Sequence, residues 1–273
     1  MKTVFDVSFK RDWNNIYVNH KEGFFTSVSD FHKHEFYEIN LILSGNVKII
    51  LTDASEQTTE PRLVLTRPDT PHFITCNSDT LYSRLYLLFT KDFLEDYFTD
   101  FKRFEQVFLD KGNIIKLNDQ QLEFIKNSIL LIEKETDLLR QKLLTLYLLS
   151  FLFEINEKEK FNHSIVPPYI FKALSYIESH FNEKITAESL SNTLYIGRTT
   201  LMTNFKKYTG GTLNDYIIAT RLKKAINYLF ENKSESEVAE LCGFSDSGSL
   251  IRNFKKQFNL TPKQYIKKET HQN

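Results

Sequence analysis

At 273 residues, 41% hydrophobic and 26% charged, the chain can bury a sizeable core, which excludes overall disorder and suggests roughly two domains. Its net charge is zero, but residues 1–164 hold 20 Lys+Arg against 25 Asp+Glu and residues 165–273 hold 15 against 10, so the C-terminal part is the one suited to a polyanion. Cys76 and Cys242 alone are too few for a disulfide framework, and the longest uncharged apolar stretch near mid-chain, Leu143 to Phe153, is 11 residues, well short of the ~20 that cross a bilayer as a helix. The N-terminus MKTVFDVSFKRDW carries charges at Asp6, Lys10 and Arg11 and no apolar stretch of signal-peptide length, so a cytoplasmic protein is expected.

From about Phe24 to Phe89, short alternating runs (EFYEINLIL, VKIILTD, RLVLTR, HFITC, SRLYLLF) are separated by the turn-prone SGN, DASE and NSD. This pattern predicts an antiparallel sandwich or barrel. Within it, HKHEFYEINLILSG places His32, His34 and Glu38 at even spacing, which on one continuous strand puts all three on one face. His72, in RPDTPHF, is placed to approach from another strand. Two or three histidines with a carboxylate suit Fe, Mn, Ni or Zn. The spacing is similar to the first motif of the cupin barrels. The second cupin motif departs: Pro68 to His72 is one residue short and lacks the usual glycine.

From Asn118 to Asn156, apolar residues recur at helical spacing: Leu122, Ile125, Ile129 and Ile132, then Leu139, Leu143, Leu146, Leu149 and Phe153. Two helices fit, with a break near Glu135-Thr136-Asp137. EKEKFNHSIVPP then reads as a linker, because prolines cannot continue a helix and Pro168 suits the first turn of the next. The expected domains are 1–156 and 169–273, joined by 157–168. Beyond the linker everything reads as helix, with capping-box spacing at Ser234 to Glu237 and Thr261 to Gln264 and a cap at Asp246.

The word NFKK occurs at 204–207 and again at 253–256, and sliding the C-terminal part on itself by that offset superimposes more. Glu188 meets Glu237, Leu201 meets Leu250, Thr212 meets Thr261, Tyr216 meets Tyr265, Ile217 meets Ile266 and Tyr195 meets Phe244. Each copy reads as a short helix, a Gly-containing turn and a second helix with a basic end, the helix-turn-helix pattern. In the second helices Leu201 and Phe205, or Leu250 and Phe254, sit four apart and face the core, leaving the intervening positions to solvent or a DNA groove. A connecting helix from Leu213 to Phe230 spaces the units by roughly 27 Å at 1.5 Å per residue. That is close to the roughly 34 Å between successive major-groove faces.

The segment AELCGFSDSGSLIRNFKKQFNLTPKQYIKK resembles the signature of the AraC/XylS family of bacterial transcription regulators. Ala239, Gly243, Phe244, Phe254, Lys255, Thr261, Pro262 and Tyr265 stand at the family's spacing, and the resemblance covers about Pro168 to Lys268. It implies an α+β chain: a cupin-like antiparallel β-barrel with a helical pair, then an all-α domain of two helix-turn-helix units. It implies base contacts from Arg198, Thr199, Met202 and Thr203 in the first recognition helix and from Ser247, Gly248, Ser249 and Arg252 in the second. Lys206, Lys207, Lys255 and Lys256 suit phosphates, and Arg252 suits guanine, whose O6 and N7 a guanidinium binds bidentately. Gly197 stands where the family usually has a serine cap, Gly248 weakens its helix, and Leu260 replaces a usual glycine.

Implied partners are double-stranded DNA, a small-molecule effector (a sugar being the class the resemblance favours), RNA polymerase and a second copy of the chain through the helical pair. Candidate effector residues are His32, His34, Glu38 and His72 with the aromatics Tyr37 and Tyr86. Three readings of the histidines stay open: a retained barrel-mouth pattern without metal, an effector site, and a divalent metal site at His32, His34, Glu38 and His72. The competing class is a metal-dependent cupin enzyme or metal sensor with an appended DNA-binding module.

Overall fold

The computed structural model describes residues 16–23, 31–32, 34–52, 54–76, 80–95, 106–108, 113–158 and 166–270. Residues 32–166 fall in one compact unit and 167–273 in another. No helix among the described residues is long and apolar enough to cross a membrane.

In the N-terminal unit the strands are β1 (Ile16–Gly23), β2 (Phe31–His32), β3 (Tyr37–Ser44), β4 (Val47–Leu51), β5 (Ser55–Thr58), β6 (Arg62–Thr66), β7 (His72–Cys76), β8 (Tyr82–Phe89) and β9 (Ile114–Lys116). They form two sheets, in the orders β1-β8-β3-β6-β9 and β2-β7-β4-β5, rather than one hydrogen-bonded ring. Every runlike stretch expected as a strand is one, and β1, β2, β5 and β9 add to them. Alternation along β3 sorts its side chains between two cores. Tyr37, Ile39 and Leu41 join a cluster with Leu63, Leu65, Leu85, Leu87 and Phe89 and the helices outside. On the other face Ile42 meets Val64 and Ile114 of its own sheet and Val47, Ile49 and Leu51 of the four-stranded one, so the two sheets pack face to face.

A short helix α1 (Asp92–Glu95) follows β8, and the helical pair is α2 (Asp119–Lys134) and α3 (Leu138–Lys158), broken at 135–137 as the sequence predicts. Asn118 and Gln121 form a reciprocal capping box at the start of α2. Ile125, Ile129 and Ile132 are buried as expected. In α3 the buried face is Leu146, Leu148, Leu149, Leu152 and Ile155, whereas Leu139 and Leu143 are half exposed together with Tyr147. The apolar residues of this helix thus lie on both a buried and an exposed face. α3 runs two residues past the expected domain end.

The C-terminal unit holds α4 (Pro168–Ser179), α5 (Ala187–Leu194), α6 (Arg198–Thr209), α7 (Leu213–Phe230), α8 (Glu235–Leu241), α9 (Ser247–Phe258) and α10 (Pro262–Thr270). Reciprocal capping boxes start α5 (Thr186, Ser189), α7 (Thr212, Asp215) and α8 (Ser234, Glu237), and Thr261 and Gln264 exchange the same pair of bonds before α10. The repeat is visible in packing. Phe205 meets Tyr216 edge to face at 5.7 Å and 75°, and Phe254 meets Tyr265 at 5.4 Å and 78°. Each pair holds a recognition helix onto the helix that follows it.

Candidate functional site

Two sets of polar side chains stand out, one on each unit. On the C-terminal unit the recognition helices α6 and α9 bury Leu201 and Phe205, or Leu250 and Phe254, and turn their other residues outward. Arg198, Thr199, Met202 and Thr203 are exposed on α6, as are Lys206 and Lys207 in its last turn. On α9, Arg252, Lys255 and Lys256 are exposed, while Ser247, Gly248 and Ser249 are half-buried. A Cβ on Gly248 would come within 3.2 Å of an Arg252 Nη and 3.0 Å of the Asp246 carboxylate. The missing side chain thus leaves room for Arg252 to lie beside Asp246.

The two NFKK asparagines play different parts. Asn204 donates to the Tyr169 hydroxyl at 2.6 Å, tying α6 to α4, whereas Asn253 donates to the Ser249 carbonyl within its own helix. The turns differ too. By the repeat, Tyr195 should meet Phe244, but Tyr195 takes the left-handed conformation that Gly243 holds in the second unit, and Ile196 takes the place of Phe244. The second turn carries one more residue, Ser245, before its recognition helix.

Within the C-terminal unit, the joint between the two helix-turn-helix units is fixed by Arg221 on α7. Its Nε and an Nη donate to the carbonyls of Phe181 and Glu183, each at 2.7 Å, and its guanidinium lies 5.9 Å from the Phe244 ring centre. Gly243 packs against the same loop at Asn182. Arg221 was no candidate in the sequence, because nothing local distinguishes it from a surface arginine.

In the N-terminal unit the strand register lays polar side chains in rows on the face of the five-stranded sheet turned toward its partner sheet. Glu38 stands across from Leu88 and Thr66, and Asn40 across from Tyr86 and Val64, while Tyr86 is also opposite Asn19. Arg84, one row on, lies 4.9 Å from the centre of the Tyr86 ring. Asn40 is fully buried, and neither atom of its amide has a hydrogen-bond partner. Asn40, Thr66 and Arg84 are not among the sequence candidates, although Glu38 and Asn40 interrupt the apolar EINLIL at a period of two, a signal that points to Asn40.

At one end of this face, Glu38 Oε2 lies 3.1 Å from His34 Nε2, 2.9 Å from His72 Nε2 and 3.4 Å from Thr66 Oγ1. Burial alone would raise the Glu38 carboxyl, but the two imidazoles outweigh it and hold the group well below the usual carboxylate range. His72 does approach from another strand, as expected. His34 does not lie on β3: the chain leaves β2 at His32 and re-enters a strand only at Tyr37, so even spacing is not what aligns the three. The His32 side chain lies outside the described residues. Tyr37 faces away from Glu38 and stacks on Phe89 at 5.3 Å. Tyr86 stays on the inner face.

Comparison with known proteins agrees with both halves. Residues 20–148 match the AraC-like ligand binding domain and residues 190–268 a helix-turn-helix domain. An uncharacterized response regulatory protein of Staphylococcus epidermidis is 31% identical over 99 residues, which span 36% of this chain and only 39% of that protein. The probable transcriptional regulator LumQ of Photobacterium leiognathi is 25% identical over 245 residues, covering 86% of this chain and 91% of LumQ. Among solved structures, a ToxT variant from Vibrio cholerae aligns over 94% of this chain and 98% of its own at 15% identity and a TM-score of 0.46. With its ligand-binding and helix-turn-helix halves both matched, and in this order, the chain belongs to the AraC/XylS family of transcription regulators.

Proposed function

We propose that the protein is a sequence-specific DNA-binding transcription regulator that works in the cytoplasm as a homodimer, contacts RNA polymerase, and is controlled by a small polar effector bound in its N-terminal domain. The observation that carries this reading is the pair of helix-turn-helix units whose recognition helices expose Arg198, Thr199, Met202, Thr203 and Arg252, spaced by the 18-residue α7. At 1.5 Å per residue that helix is about 27 Å long, suited to setting two helices in successive major-groove faces. Lys206, Lys207, Lys255 and Lys256 would meet phosphates.

The effector site is read at His34, Glu38, His72 and Tyr86, with Asn40, Thr66 and Arg84 added. A buried amide without a partner costs about 1–3 kcal/mol, which a hydroxylated ligand beside Asn40 would recover. Sugars are the first class to screen. Leu139, Leu143 and Tyr147 on α3, with Leu131 on α2, leave an exposed apolar stripe that supports packing of the helical pair on a second copy. We read the protein as a binding protein and not an enzyme. The alternative, a metal-dependent enzyme, rests on three side chains that serve binding equally well, and the relatives of comparable length are named as regulators.

Selection of the full-length protein against random duplexes, followed by gel shift, tests the reading. Arg252→Ala should weaken the selected site by about 1–3 kcal/mol and relax preference at one base pair, whereas Lys255→Ala should weaken all sequences alike and flatten the salt slope by about 0.9. Enrichment of no duplex at physiological salt would sink it.

A further inference from the structure

Glu38, His34 and His72 come from three segments that only the fold brings together. Glu38 lies near the start of β3 in the five-stranded sheet, His72 opens β7 in the four-stranded sheet, and His34 sits in the connection entering β3. Their side chains are 4%, 8% and 1% exposed. The three ligand atoms converge within 4.8 Å of one another.

The far nitrogen of each ring already faces an acceptor. His72 Nδ1 is 2.9 Å from the Thr70 carbonyl oxygen, and His34 Nδ1 is 3.1 Å from that of Phe36, with a longer contact of 3.4 Å to the Phe36 amide. A carbonyl oxygen only accepts, so Nδ1 carries the ring proton wherever it makes this bond, whereas in the other tautomer His34 Nδ1 accepts from the Phe36 amide. With the proton on Nδ1, the neutral ring turns the lone pair of Nε2 toward the Glu38 carboxylate. In that tautomer the rings no longer donate to the carboxylate as they do when Nε2 carries a proton, and a cation among the three groups takes over its stabilisation. A proton on each ring would supply it, at the cost of two cations side by side with ring centres 5.1 Å apart. One metal ion would satisfy all three groups at once. A ring that donates from one nitrogen to a backbone carbonyl and aims the other inward is also the usual posture of a metal-bound histidine.

Distances point the same way. First-row divalent ions hold imidazole nitrogen and carboxylate oxygen at about 2.0–2.2 Å, so neighbouring ligand atoms stand about 2.9–3.5 Å apart. Two of the three separations here are 3.1 and 2.9 Å.

We propose that His34, Glu38 and His72 bind one zinc or iron(II) ion, which ties the two sheets of the N-terminal domain together at this end. Two imidazoles and one carboxylate favour ions of this class over magnesium or calcium, which take oxygen ligands. The Thr66 hydroxyl orients the carboxylate. The inference goes beyond the regulator reading and stands independently of any DNA site.

The test uses untagged full-length protein, stripped with chelator and dialysed, beside His34→Ala. Added zinc should raise the melting temperature of the stripped wild type. Cobalt(II), used as the spectroscopic probe, should give d–d bands that saturate near one equivalent, without the thiolate charge transfer that Cys76 or Cys242 would add. In His34→Ala both affinities should fall by 100-fold or more. If that variant does not fold, the cobalt spectrum and stoichiometry of the wild type decide alone. Absence of the bands and of any zinc-dependent shift at 100 µM metal, or equal binding by wild type and variant, overturns the proposal.

Discussion

The two helix-turn-helix units share a plan and solve its turn differently. In the first, Tyr195 is left-handed (φ 55°) and 95% exposed; in the second, Gly243 is left-handed (φ 73°) and packed. Both turns close with the same backbone bond, from Ile196 to the Ser191 carbonyl at 3.0 Å and from Phe244 to the Ala239 carbonyl at 2.8 Å. The left-handed residue costs about 1–2 kcal/mol when it has a side chain, and the first unit carries that cost because Tyr195 points into open solvent. In the second, a Cβ on Gly243 would stand 2.5 Å from the Asn182 carbonyl oxygen. Glycine is thus demanded by a neighbour and not by the turn.

The largest effect should come from breaking this contrast directly. Gly243→Ala adds left-handed strain and a clash with backbone that has no flexible end to move, so a loss of about 3 kcal/mol is expected in urea unfolding. Tyr195→Gly should act with the opposite sign, gaining about 0.5 kcal/mol after the entropy that glycine adds to the unfolded chain. Equal shifts in the two variants would abolish the distinction between an open and a packed turn.

Arg221→Ala should cost about 2 kcal/mol, since it removes two charged hydrogen bonds that hold the 181–183 backbone against which Gly243 packs. Arg221→Lys keeps the charge but cannot span both carbonyls, and should recover less than half of the loss. Full recovery by lysine would mean that charge, not the fork of the guanidinium, fixes the joint.

Cys242, at the end of α8, reports on the same packing. Burial pushes its thiol up to about 12, against a smaller opposing pull from Arg221 and Lys224, and burial likewise pushes Cys76 up to about 11. Both folded values lie above the ordinary 9.0, so the folded chain keeps these protons longer and loses stability as pH rises from about 9 through 11 and 12. At pH 8 a thiol reagent should therefore attack neither cysteine until the protein opens. Gly243→Ala should speed labelling of Cys242 several-fold and leave Cys76, in the other unit, unchanged. Equal acceleration at both would show global unfolding instead of a loosened turn.

What was legible follows the same division between local and distant causes. Helix ends were readable because caps are local: Ser234 with Glu237, Thr261 with Gln264 and Asp246 all cap where their spacing predicts. The aromatic pairs were readable because a repeat copies packing along with sequence. Of the four side chains named from the sequence, His34, Glu38 and His72 converge, with His72 arriving from another strand as expected, but His34 is not aligned with Glu38 by even spacing, since the chain is out of the strand between His32 and Tyr37. Tyr37 is next to Glu38 on β3, so alternation turns it to the opposite face, where it stacks on Phe89 from 52 positions away. Nor does sequence alone tell a glycine kept for its φ from one kept for a neighbour's carbonyl.

The smallest effect concerns the starts of the recognition helices. Asp246 caps α9, accepting from the Ser249 amide at 2.7 Å, while Gly197 stands before α6 with no side-chain cap. Its φ of −58° suits any residue, and a Cβ there would meet only Thr200 Oγ1 at 3.6 Å. Gly197→Ser should gain about 0.3 kcal/mol, and Gly197→Asp at least as much, because an acid also suits the positive end of the helix. On DNA the two should part. The acid at Asp246 is held by the Ser245 hydroxyl and the Ser249 amide, with Arg252 nearby, all of which keep its carboxyl below the usual carboxylate range. No arginine stands at the α6 position equivalent to Arg252, which is Thr203, so an aspartate at 197 would face phosphates without that cation. Serine should then leave affinity for the selected duplex unchanged while aspartate weakens it several-fold, and equal affinity in both would place the start of α6 away from the DNA backbone.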